Sequence, residues 1–137
     1  MIPLSGGVSS AIWRVELGQQ IVCVKRALPQ LKVSALWEAP IERNQYEWEW
    51  LQIAGAIEPT AAPALIARDL ETGCFVMEYL DTQNYPVWKN QLRDGITDLN
   101  TAKAVGQRLA SIHAATAGQD DIRNRFPTDH IFHAIRI

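Results

Sequence analysis

The sequence predicts an α+β fold, an antiparallel five-stranded sheet with one helix packed on it and a second helix outside the sheet. Three observations carry this prediction. The first third alternates in polarity and is rich in β-formers, and from about Pro40 the apolar period becomes helical. Two further short β-like runs then follow, separated by a Glu71-Thr72-Gly73 turn. With 137 residues and 47% hydrophobic residues, the chain has the size of one domain and the apolar content for a core.

Met1 to Leu4 is long enough only for a stub of strand. Ala11 to Leu17 (AIWRVEL) and Ile21 to Ala27 (IVCVKRA) flank Gly18-Gln19-Gln20 and read as an antiparallel hairpin that Pro29 ends. The next element is a helix from Pro40 to about Ile57, since Pro suits a first helical turn. Along it Tyr46, Trp50, Ile53 and Ile57 form one stripe, and Glu47, Leu51 and Ala54 an adjoining one. Pro59 and Pro63 stop the helix. Ala64 to Ala67 and Cys74 to Leu80 give two more strands, and Thr82 to Asp98 reads as a connection with little regular structure. Leu99 to Thr116 is the second helix, with Asp98 or Asn100 as its cap and Gly118 as its stop. Its apolar face is Ala102, Val105, Leu109, Ile112 and Thr116, with His113 packed near it.

Charge and cysteine content narrow the function classes. A net charge of −2 and a pI near 5.9 give no basic footprint for nucleic acid or anionic membrane. Trp37, Trp48 and Trp50 could be stacking platforms for single-stranded nucleic acid, but such binders pair aromatics with a basic groove, and packing is the expected role. Cys23 and Cys74 belong to no CxxC or Cys/His cluster, so free thiols and a cytoplasmic setting are expected. No apolar run approaches the roughly 18 residues of a membrane span, and the N-terminus is not a secretory signal. His130 and His133 have helical spacing with Asp129, yet a metal site is not expected there, because open zinc sites use three strong ligands.

Three features point to chemistry. Ser5-Gly6-Gly7-Val8-Ser9-Ser10 lies at a strand-to-strand turn, where small residues let backbone N–H groups approach phosphates. An ordinary Gly-Gly turn would look the same. Lys25 ends the run Val22-Cys23-Val24-Lys25 in an otherwise apolar strand, on the face of Ile21, Cys23 and Ala27. A lysine there needs a partner or an exit to solvent, as on an edge strand. The first helix offers Glu42, Glu47 and Glu49 as partners; Glu47 shares its stripe with Leu51 and Ala54 and is the first choice. Solvated surface acids are the alternative for all three.

The combined order of these segments resembles the N-terminal part of an aminoglycoside phosphotransferase family kinase. The resemblance runs through LSGGVSSAIWRVEL (Leu4 to Leu17), VCVKRAL (Val22 to Leu28), RNQYEWEWL (Arg43 to Leu51) and CFVMEYLD (Cys74 to Asp81). YPVWKNQL (Tyr85 to Leu92) and VGQRLASIHAAT (Val105 to Thr116) extend it over nearly the whole chain. It implies a kinase-like small lobe with hinge over residues 1–80, then a linker and the incomplete start of a large lobe over 81–137. It also implies ATP, with magnesium, as the donor of a γ-phosphoryl group to a hydroxyl of a small molecule.

Under this resemblance Gly6, Gly7, Ser9 and Ser10 would approach the phosphates, Lys25 would hold them, and Glu47 would position Lys25. Ile12 and Cys23 would roof the base. The backbone C=O of Glu78 and N–H of Leu80 would take the adenine edge, with Met77 behind them. The family's His-Gly-Asp loop, its following Asn and its later magnesium-binding Asp have no counterpart in the sequence. The chain is therefore expected to be inactive alone, as a truncated or split product or a fragment, and to self-associate or pair with a large lobe. A non-catalytic interaction module retaining the small-lobe shape is the competing expectation.

Overall fold

The computed structural model describes residues 1–4 and 7–136; Ser5, Gly6 and Ile137 lie outside the described residues, and with them the expectation for Gly6. Five strands form one open, wholly antiparallel sheet: β1 (Ile2–Pro3), β2 (Ser10–Leu17), β3 (Gln20–Ala27), β4 (Leu65–Asp69) and β5 (Cys74–Glu78). Their order across the sheet is β1-β2-β3-β5-β4, so β3 is central and β5 joins it from a distant part of the chain. Five helices complete the described residues: α1 (Arg43–Ile57), α2 (Trp88–Arg93), α3 (Leu99–Thr116), α4 (Asp120–Arg125) and α5 (Asp129–Ala134).

The β2–β3 hairpin follows from alternation and from Gly18, whose φ of 62° suits a residue without Cβ. At the β4–β5 turn Gly73 is needed twice over. Its φ is 60°, and a Cβ there would come within 3.3 Å of the Ile41 side chain. The Asp69 carboxylate closes the same turn by accepting from the Thr72 hydroxyl at 2.9 Å and the Glu71 N–H at 3.0 Å.

Cross-strand pairing puts Ile12, Lys25 and Phe75 abreast on one face, with Cys23 opposite Met77 one step along it. Phe75 is 1% exposed and meets Trp48 of α1 edge-on, with ring centroids 5.8 Å apart. That contact seats α1 on the sheet. Cys74 pairs with Arg26, three register positions from Cys23 and on the other face, and both thiols are free.

Several boundaries differ from the sequence reading. Helix α1 starts at Arg43 rather than Pro40, because residues 41–42 form a tight lead-in whose Ile41 and Glu42 carbonyls accept from Asn44 and Gln45 three residues on. Its buried residues are Asn44, Trp48 and Ala54, whereas Trp50 is exposed and, with Tyr46, flanks Phe126. β4 runs to Asp69 and β5 stops at Glu78, leaving Leu80 beyond the strand. The connection expected to be irregular contains α2, a six-residue helix without a side-chain cap. Residues 120–134 add α4 and α5, also six residues each, too short for a periodic pattern to announce.

Helix α3 spans Leu99–Thr116 as its sequence pattern predicts, with the Asp98 carboxylate accepting from the Asn100 N–H at 2.9 Å. Its contacts correct the expected face. Ile112 is its one buried residue, while Ala102, Leu109 and His113 are exposed. Val105, Ile112 and Thr116 of the expected face do turn inward, joined by Thr101 and Arg108, and Arg108 reaches Glu58 at 3.5 Å past the end of α1. Among the described residues no helix is long and apolar enough to cross a membrane.

Candidate functional site

A lysine on a central strand cannot leave the sheet sideways, so its ammonium must find a partner above or below it. Lys25 finds one above. Its Nζ donates to Glu47 Oε1 on α1, with the Lys25 side chain largely enclosed and that of Glu47 half-exposed. The other two acids are engaged elsewhere. Glu42 Oε1 lies 2.6 Å from His130 Nε2, while Glu49 lies 3.9 Å from Arg68, 3.7 Å from Arg125 and accepts from Gln45 at 3.2 Å.

The first turn of α1 is tied to the sheet by backbone carbonyls. Arg43 Nη1 donates to the carbonyls of Ala39 at 2.9 Å and Pro40 at 2.5 Å. Its Nη2 donates to Ser9 and Leu28, each at 2.6 Å. Burial pulls the Arg43 pKa down from its ordinary value, and the nearby Glu47 charge opposes that shift. The next residue, Asn44, is 3% exposed and donates to the Gly73 carbonyl at 2.6 Å, with the Lys25 carbonyl at 3.5 Å. Neither residue stands out in the sequence. The acceptors are main-chain oxygens, which carry no residue signature.

A cavity of about 300 Å³ opens beside the Lys25–Glu47 pair. Its wall includes Ser9, Ser10, Lys25, Arg43 and Glu47 on the sheet and α1 side, and Thr128, Ile131 and Ile135 opposite. Ile131 is 5% exposed, and the Trp37 indole N–H donates to the Ala134 carbonyl at 2.7 Å, which holds α5 in place. The sequence offers no sign that α5 would wall this cavity, although Asp129, His130 and His133 have helical spacing.

Of the remaining expected residues, Gly7 is exposed, with open space where a Cβ would stand. Ile12, Cys23 and Met77 share the inner face of the sheet with Lys25 but do not line this cavity. Burial pushes the Cys23 thiol pKa up, against the pull of the Lys25 charge, and the residue is 6% exposed. The Glu78 N–H donates to the Ala64 carbonyl at 2.8 Å, and its carboxylate accepts from the Ala64 N–H at 3.2 Å. Arg14, opposite Cys23 in the register, lies 5.5 Å over the Tyr79 ring just past β5. Among the described residues no group of three His, Cys, Asp or Glu side chains converges as a metal site.

The fold and this geometry define an α+β sheet-and-helix unit with a lysine–carboxylate pair between its central strand and its packed helix. Neither the known protein-family models nor the curated proteins contain a match to the chain.

Proposed function

We propose that this chain is the ATP-binding portion of a small-molecule phosphotransferase, a kinase-like small lobe followed by the beginning of a large lobe. The observation that carries the reading is the Lys25–Glu47 pair, held beside a cavity that Ser9 and Ser10 also line. A cation fixed on a central strand with hydroxyl groups nearby is chemically suited to the α- and β-phosphates of a nucleotide. ATP would supply the transferable γ-phosphoryl group. Ile12, Cys23 and Met77 would pack on the base, and the backbone of Glu78 and Leu80 would take its edge. The hydroxyl-bearing acceptor, the base that orients it and the ligands for magnesium are assigned to no residue of this chain. Positioning and charge neutralisation dominate phosphoryl transfer, so the chain alone is expected to bind nucleotide without turning it over.

Titration with a fluorescent ATP analogue and magnesium tests the reading. Binding should be weak, Lys25→Ala should lower affinity by about tenfold or more, as losing a charge-assisted contact does, and Glu49→Ala should leave it unchanged. Absence of binding at millimolar analogue, or an affinity indifferent to Lys25→Ala, would overturn it. Phosphoryl transfer by the chain alone would overturn the assignment of catalysis elsewhere.

A second reading, a non-catalytic interaction module, draws support from α3, where Leu99 and Leu109 are exposed. It predicts no Lys25-dependent nucleotide binding in the same titration.

A further inference from the structure

We propose that Arg43 is the positioning residue of the Lys25–Glu47 pair, acting through the main chain of three segments at once. Helix α1 has no side-chain N-cap and no acidic residue in its first turn, so beyond the backbone turn at residues 41–42 nothing local fixes how it is rotated. The Arg43 guanidinium supplies that constraint. One edge grips the lead-in through Ala39 and Pro40, and the other grips the start of β2 through Ser9 and the exit of β3 through Leu28.

The geometry connects this clamp to the pair directly. Arg43 and Glu47 stand one helical turn apart on the same side of α1. Lys25 lies on the strand whose exit Arg43 holds, and Ser9, held by the same nitrogen, borders the cavity. Rotation of α1 by a fraction of a turn would carry Glu47 away from Lys25, and the Arg43 fork opposes that rotation at both ends. A lysine in its place would keep the charge but offer no planar fork for four carbonyls in two directions. Arg43 itself needs no contact with a ligand. Its consequence for phosphate binding rests on the nucleotide reading above; its control of Lys25 does not.

Acetylation of Lys25 by an N-hydroxysuccinimide ester, measured relative to exposed Lys103 in the same folded chain, tests the inference. Arg43→Met and Arg43→Lys should each raise the Lys25 ratio by about fivefold, the population change that losing one net hydrogen bond produces. Ile112→Ala, destabilised in α3 and compared at the same margin below its Tm, should leave the ratio unchanged. An unchanged ratio in a folded Arg43 variant, or an equal rise in Ile112→Ala, would overturn the proposal. If neither Arg43 variant folds, the unaltered chain decides. The Arg43 Nη protons should exchange with solvent at least about tenfold more slowly than those of exposed Arg93, as four protein acceptors require, and equal rates would overturn the clamp. A shifted Lys25 ratio in a chain that binds no ATP analogue would sustain the clamp and remove the nucleotide reading.

Discussion

Helix α1 buries Asn44, Trp48 and Ala54 within fifteen residues, whereas α3 buries Ile112 alone within eighteen. The two are also held differently. α3 carries its own boundaries: Asp98 accepts from the Asn100 N–H at its start, and Gly118, with φ 72°, turns the chain just past its end. α1 has neither device, and its place is set by Trp48 on Phe75 and by the carbonyls that Arg43 and Asn44 grip. A helix specified locally can stand with one side open to solvent. A helix specified by tertiary contacts can aim a side chain, and α1 is the one that aims Glu47.

The contrast can be broken most forcefully at Phe75. Phe75→Ala should cost about 3–5 kcal/mol in urea unfolding, as aromatic truncation in a packed core does, because it removes the ring on which Trp48 rests. A loss below about 1 kcal/mol would mean that α1 is not seated there.

The second test concerns the local device on α3. The Thr101 hydroxyl first, then the Asn100 N–H, hold the Asp98 carboxyl below its ordinary value of 3.8. A folded value below the unfolded one means that the support is full above pH 3.8 and is lost as pH falls through the lower folded value. Asp98→Ala should therefore speed amide exchange in the first turn of α3 at neutral pH, and the difference should close in acid. A difference that persisted undiminished at the lowest pH would refute the charged cap.

The smallest effect is expected on the open side of α3. Leu109 is 49% exposed, and Leu109→Ser should change unfolding free energy by no more than about 0.5 kcal/mol. A larger loss would show that this side is covered and would erase the difference between the helices.

The same contrast explains what could be read beforehand. The β2–β3 hairpin and α3 were legible because alternation, Gly18, Asp98 and Gly118 act within a few residues. The β4 and β5 strands were legible in place but not in length. Glu47 was distinguishable from its neighbours by helical phase alone, since it lies in line with Leu51 and Ala54. The seating of α1 was not legible, because it depends on Arg43 reaching carbonyls just before β2, just after β3 and in the lead-in. Trp48 was hidden beside Trp50, two residues on, until Phe75 selected it. The short helices α2, α4 and α5 offered no pattern long enough to distinguish them from turns.

The pairing of β3 with β5, with all of α1 and β4 lying between them in the chain, has a consequence during synthesis. Once the β2–β3 hairpin has left the ribosome, the far edge of β3 has no strand to bond until Glu78 has also emerged. At roughly 5–20 residues per second that interval is a matter of seconds, far longer than the microseconds a hairpin needs to form. Through that interval the strand bearing Lys25 presents an open row of amides and carbonyls along Val22 to Arg26. Neighbouring nascent chains on one message would meet at that edge, and like charges at its end, Lys25 and Arg26, would repel the same residues of another copy.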